Sequence, residues 1–242
     1  MTKTDTHQQV EQAQTAALRL ANVDAAQRDA ALAAIADAIR SNSEAILSAN
    51  SEDVEEAERM LAEGEYTQAL VDRLKLDEAK LESIAGMVES VADQADPLGE
   101  TLEARELDEA LELYKLSVPI GVVGTIFESR PDALVQIAAL ALKSGNAVIL
   151  KGGSEASESN RVLYETIVEA TSDLPDGWAT LIEAHEEVDR LLEMDDMVDL
   201  VMPRGSSEFV SYIQDNTQIP VLGHTEGVCH VYVDEDADLA MA

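Results

Sequence analysis

Residues 119–156 read PIGVVGTIFESRPDALVQIAALALKSGNAVILKGGSEA, and three elements follow one another inside them. The β-branched, apolar run LELYKLSVPIGVVGTIF, which enters from Leu111, reads as strand, with Pro119 and Gly121 where a bend or bulge belongs. Asp132 to Lys143 reads as helix, and AVILK (147–151) as a short buried strand. The same alternation continues downstream. Ser157 to Thr171 is helical, Trp178 to Ile182 a strand, and Val188 to Leu192 a short helix. Val198 to Met202 is the next strand, followed by Gly205 and a helix ending at Asp215. Strands alternating with helices predict an α/β fold, a parallel sheet with flanking helices on both faces. Near-continuous apolar strands fit a sheet buried on both sides.

Upstream the period is that of a helix. Residues 8–62 carry apolar positions at three- and four-residue spacing (Val10, Ala13, Ala17, Leu20; Leu32, Ile35, Ala36, Ile39), with a break at Ser41-Asn42-Ser43. Tyr66 to Ala92 is helical again, until Asp96-Pro97-Leu98-Gly99 ends it. At the other end, CHVYVD (229–234) alternates as a strand and DADLAMA (236–242) reads as the start of a helix. A helix begun there leaves a truncated domain or a naturally short C-terminus, of which truncation is the expectation. The expected organisation is an N-terminal helical part (1–110), a Rossmann-like core (111–222) and the beginning of a further domain (223–242).

Charge narrows the range of functions. Sixteen Lys and Arg stand against 49 Asp and Glu, a net charge of −33 over 242 residues. Such a surface repels nucleic acid and anionic membranes, so neither is an expected partner. The carboxylates are spread along the chain rather than gathered in a tail, which favours adaptation to very high salt over an acidic tail. One cysteine excludes an internal disulfide and a multi-cysteine metal site, and no metal is expected. No apolar run is long enough to cross a bilayer, and the opening residues lack a signal-peptide core, so the expected location is the cytoplasm.

In an open parallel sheet, ligands bind beyond the carboxyl ends of the strands. Three segments fall there: Phe127-Glu128-Ser129-Arg130-Pro131, Lys151-Gly152-Gly153-Ser154-Glu155 and Pro203-Arg204-Gly205-Ser206-Ser207. The latter two combine a cation with glycine and serine before a helix, the makings of an anion site. Neither a G-x-G-x-x-G fingerprint nor a P-loop is present. Three of the six lysines (Lys115, Lys143, Lys151) lie in the stretch around this site, with Lys143 also suited to capping a helix C-terminus. Lys151, at a strand end before Gly-Gly-Ser, suits a 2′-phosphate and so favours NADPH over NADH. Arg130 can clamp an acyl phosphate bidentately or pair with a surface carboxylate. Arg204, Gly205 and Ser206 offer a cation and backbone donors to a pyrophosphate or nicotinamide-side group. His224 either lines the site or lies on the surface. Cys229 beside His230 suggests a nucleophile and its base. In a strand, however, neighbouring side chains point to opposite faces, so a small buried hydrophobe is the preferred reading.

Segment 119–156 resembles the signature region of the γ-glutamyl phosphate reductases (glutamate-5-semialdehyde dehydrogenases), a family within the aldehyde dehydrogenase superfamily. ESRPD, LKSGNAVILKGGSEA, LVMPRGSS and IPVLGHTEGVCHVYVDEDADL match in order, and the similarity extends to residues 31–53 and to LVDRLKLDEAKL (70–81). The resemblance implies an atypical Rossmann-like cofactor domain without the Gly-rich fingerprint. It also implies NADPH-dependent reduction of γ-glutamyl 5-phosphate to glutamate-5-semialdehyde and phosphate, in proline biosynthesis. A thiolate attacks the acyl phosphate, phosphate leaves, and the thioester is reduced.

By resemblance, Lys151, Gly152, Gly153 and Ser154 hold the adenosine ribose and its phosphate, with Gly205 and Ser206 along the cofactor. Ser129 and Arg130 face the reacting carbonyl and acyl phosphate. The family's reactive cysteine lies in a Cys-Asn motif beyond Ala242, so no catalytic residue is expected within the chain, and the chain alone is expected to be inactive. The longer enzyme leaves room for a homo-oligomer. A non-catalytic nucleotide-binding module and another member of the superfamily are the alternatives.

Overall fold

The computed structural model describes residues 6–128, 130–183, 185–223, 229–238 and 241. Five helices come first: α1 (Thr6–Leu20), α2 (Ala25–Ser41), α3 (Ser43–Glu63), α4 (Gln68–Leu74) and α5 (Glu78–Ala92). A hairpin of β1 (Thr101–Asp108) and β2 (Leu111–Leu116) precedes the alternating part. That part runs β3 (Val122–Ile126), α6 (Pro131–Lys143), β4 (Ala147–Lys151), α7 (Ser157–Ala170) and β5 (Ala179–Ile182). It ends with α8 (His185–Leu192), β6 (Leu200–Pro203) and α9 (Ser207–Asp215).

The four later strands form one parallel sheet in the order β5-β4-β3-β6. Strand period places alternate side chains on opposite faces. Val148 and Leu150 pack with Leu134, Leu142, Leu163 and the apolar sides of α2 and α5. Val122, Ile126 and Ile149 pack with Val10, Ala13 and Ala17 of α1 and with Val188 and Leu191 of α8. The opening helix is therefore part of the sheet's second layer. Gly121 makes the bend expected there. Its φ is +128°, and a Cβ would lie 2.1 Å from the Asp199 carboxylate that accepts the Val122 N–H at 2.8 Å.

Several expectations change on contact with the structure. The first helical stretch breaks at 21–24, where Asp24 caps α2 reciprocally with Gln27, and the second breaks at 75–77, where Asp77 caps α5. A strand precedes Leu111: β1 pairs antiparallel with β2, and the boundary expected at residue 110 falls in the turn between them. Every residue of that hairpin is exposed. Residues 229–234 are not a strand, because no described strand pairs with them, and 235–238 make a turn; the rest of the helix expected over 236–242 lies mostly outside the described residues. Cys229 is exposed rather than buried.

The lysine cluster also dissolves. Lys115 stands opposite Glu103 in the hairpin. Lys143 caps a helix, as one reading had it, but the helix is α5: its Nζ donates to the Ala92 carbonyl at 2.7 Å and to Asp29 at 2.6 Å. Only Lys151 stays at the carboxyl edge of the sheet.

Candidate functional site

Chain order reverses between β3 and β6. From β3 the sheet grows outward through β4 to β5, and the chain then returns to the other side of β3. Such a switch point opens a crevice at the carboxyl ends of the strands. Two hydrogen bonds tie the three expected turns together there. Phe127 N–H donates to the Lys151 carbonyl at 2.9 Å, and Arg204 N–H donates to the Ile126 carbonyl at 2.7 Å. The turns therefore leave one edge side by side.

A cleft of about 730 Å³ lies at this point, on the α6 face of the sheet. Arg130, Arg204, Gly205 and Ser206 line it, together with Phe127 and Glu128, and α4 contributes Arg73. Ser206 caps α9, its hydroxyl accepting the Phe209 N–H at 3.2 Å, which leaves its backbone N–H and its own O–H to donate to a ligand. Gly205 keeps the turn open: a Cβ there would come within 3.1 Å of the Glu128 carboxylate and the Phe209 ring.

The β4 turn lies beside this cleft rather than in it. Lys151 is 3% exposed, and its ammonium donates to the Gly152 carbonyl at 2.5 Å. Burial pushes its pKa down, while Glu155, Glu187 and Glu183 push the other way. Gly152 packs against the buried Asn160, which would stand 2.1 Å from an added Cβ. Ser154 lines a separate pocket of about 260 Å³ with Asp53, Tyr66 and Glu155.

The residue at the N-cap of α7, Ala156, offers no side-chain cap. Asp53 of α3 supplies one, accepting from Glu158 N–H at 3.1 Å, Ser159 N–H at 2.8 Å and Ser159 Oγ at 2.6 Å. Those helix N–H groups are thus already occupied by a carboxylate. The edge is divided in charge: guanidinium groups on the β6 side, carboxylates around the ends of β4 and β5.

Ser129 and His224 lie outside the described residues. Two residues near the expected site went without a role in the sequence reading. Glu128, quoted within ESRPD, has its pKa raised by burial and by Glu155. Arg73 comes from a helix about 50 residues before the sheet, and only its place in LVDRLKLDEAKL pointed to it. Among the described residues, no group of three or more His, Cys, Asp or Glu is arranged to hold a metal ion. No helix among them is long and apolar enough to cross a membrane.

Known proteins resemble the chain over its whole length. The chain is 73% identical over 242 residues to a γ-glutamyl phosphate reductase of Natronomonas pharaonis, covering 100% of this chain and 55% of that protein. It is 69% identical over 235 residues to one of Haloquadratum walsbyi, covering 97% and 52%. Among solved structures, the γ-glutamyl phosphate reductase of Thermotoga maritima superposes with a TM-score of 0.89 at 33% identity, over 98% of this chain and 57% of that one. The Saccharomyces cerevisiae enzyme gives 0.85 at 38%, over 98% and 60%. The chain spans about half the length of the curated relatives it matches. The sequence model of the aldehyde dehydrogenase family matches residues 1–242 throughout, and the chain belongs to that family.

Proposed function

We propose that this chain is the cofactor-binding part of an NADPH-dependent reductase that converts γ-glutamyl 5-phosphate to glutamate-5-semialdehyde and phosphate in L-proline biosynthesis. The observation that carries the reading is the cleft at the β3–β6 switch point, rimmed by Arg130, Arg204, Gly205 and Ser206. The named relatives supply the substrate.

The residues present fit a dinucleotide. Gly205 and Ser206 bring backbone N–H groups to the start of α9, where the helix dipole favours the pyrophosphate. Lys151, Gly152, Gly153 and Ser154 form the turn nearest the adenosine end, with the carboxylates around Lys151 placed to accept from ribose hydroxyls. The bound nicotinamide supplies the hydride. Arg130, with Ser129 beside it in sequence, draws negative charge off the acyl phosphate as phosphate departs. Phe127 and the apolar side of α6 keep water from the reacting carbonyl. The reacting thiol comes from outside residues 1–242, and Cys229, exposed, takes no part. The protein works in the cytoplasm at high salt, in a longer enzyme that forms a homo-oligomer.

A second reading concerns the cofactor. Glu155, Glu183 and Glu187 already surround Lys151, an arrangement that favours the free 2′-hydroxyl of NADH over a 2′-phosphate. Titrating the chain with each dinucleotide at molar KCl, by nicotinamide fluorescence, separates the two. Tighter NADPH binding that Lys151→Ala weakens more than NADH binding supports the first reading. Equal loss of both removes the 2′-phosphate argument, and binding of neither overturns the cofactor site.

A further inference from the structure

The cleft carries more unpartnered positive charge than the rest of the molecule would lead one to expect. The chain has ten arginines. Five of them, Arg28, Arg40, Arg59, Arg105 and Arg161, form ion pairs. Of the remaining five, three line this one cleft: Arg73, Arg130 and Arg204. None of the three has a carboxylate within salt-bridge distance among the described residues, although the chain holds 49 acidic side chains. Arg130 and Arg204 belong to the strand turns. Arg73 does not, and nothing in dinucleotide binding calls for it.

Arg73 is held firmly where it is. α4 is only seven residues long, but Val71 and Leu74 bury themselves against Ala57 and Ala156. Asn50 clamps the end of the helix, donating to the Leu74 carbonyl at 2.8 Å and accepting from Leu76 N–H at 2.8 Å. The guanidinium is thus presented to the cleft from a pinned backbone, the preorganisation that a bidentate anion contact needs.

We infer that Arg73 is a substrate-recognition residue, binding the α-carboxylate of an amino-acid acyl phosphate whose phosphate end meets Arg130. The cleft then selects a substrate with two separated anionic groups. This rests on the reading of the cleft given above.

Two probes test it by ligand NMR on the 242-residue chain at molar KCl, where diffuse attraction is screened. One is 2-amino-5-phosphonopentanoate, which has both anions; the other is 4-aminobutylphosphonate, which differs from it only in lacking the carboxylate. The two-anion probe is expected to bind about tenfold more tightly. Arg73→Gln erases that advantage and leaves NADPH binding unchanged, while Arg73→Lys, keeping the charge but losing the fork, retains part of it. The lysine variant also decides the matter should the glutamine variant fail to fold. A preference undiminished in the folded variants overturns the inference, as does a wild-type chain that binds NADPH but does not distinguish the probes. A wild-type chain that binds neither NADPH nor phosphonate defeats the cleft itself, and this inference with it.

Discussion

Gly152 shows how a single residue fixes the shape of the turn after β4. Its backbone lies against the Asn160 amide, itself 3% exposed, with the Phe127 ring 3.4 Å from where a Cβ would stand. Asn160 is buried, so Gly152→Ala forces a shift in its side chain, in the backbone or in α7. The expected cost is about 1–3 kcal/mol, typical of overpacking, read from denaturant unfolding at fixed salt. Gly153→Ala makes the control. The atoms nearest its Cβ are those of the Glu155 carboxylate, the far end of a flexible side chain, so the loss should be smaller. Equal losses would mean that Asn160 does not set the turn. The glycine pair was legible in the sequence as part of a cation-and-glycine turn suited to an anion. That its nearest neighbour is a buried amide from the following helix was not, because no local pattern encodes which side chain a turn packs against. Cys229 was misread for a related reason. The strand rule used for it holds only where a partner strand exists, and none is described beside residues 229–234.

Among the elements, those bounded by signals within their own sequence were the ones that could be read. α6, β4 and α7 fall within a residue of their expected bounds, since apolar period, Pro131 at the helix start and Gly145 after the helix end mark them directly. The breaks before α2 and α5 were missed, although Asp24 with Gln27 and Asp77 are ordinary cap signals; continuous apolar spacing across them masked the interruption. The start of α7 was placed correctly at Ser157, but the identity of its cap was out of reach, because Asp53 lies 105 residues away on α3. That long-range cap predicts its own mutational signature. Burial raises the pKa of Asp53 despite its bonds to Ser159. A carboxyl whose folded pKa is raised holds its proton more tightly in the native state. Its contribution to stability is therefore greatest when it is protonated, and declines as the pH climbs through the folded value. Both carboxylate oxygens accept from α7, and an asparagine has only one acceptor oxygen, so Asp53→Asn should lose part of the cap. Asp53→Ala, which strands Ser159 and two helix N–H groups, should lose all of it and cost about 1–3 kcal/mol. Chemical denaturation of both variants at neutral pH checks the order, and an asparagine variant as unstable as the alanine one would contradict it.

For the molecule as a whole, charge outweighs any single contact. A net −33 on 242 residues leaves most carboxylates without a cation, and the ion pairs that do form are mainly exposed ones such as Arg59 with Glu56 and Glu63. Exposed pairs of that kind contribute little, roughly 0–1 kcal/mol each, so they do not offset the mutual repulsion. Folding concentrates this charge, and the folded state should therefore gain stability from added salt. Two mechanisms can produce that gain, and they separate by dose. Screening is largely complete once the Debye length falls from about 10 Å at 0.1 M to about 3 Å at 1 M. Exclusion of salt from the protein surface keeps growing with concentration and is stronger for sulfate than for chloride. If repulsion dominates, the thermal midpoint should rise steeply up to about 1 M KCl and then flatten, with NaCl and KCl equivalent at equal ionic strength. If the carboxylates instead work by keeping the surface hydrated in brine, the midpoint should climb beyond 1 M and depend on the identity of the salt. A midpoint indifferent to salt between 0.1 and 3 M would refute both, and would mean that the acidity has no bearing on how this chain stays folded.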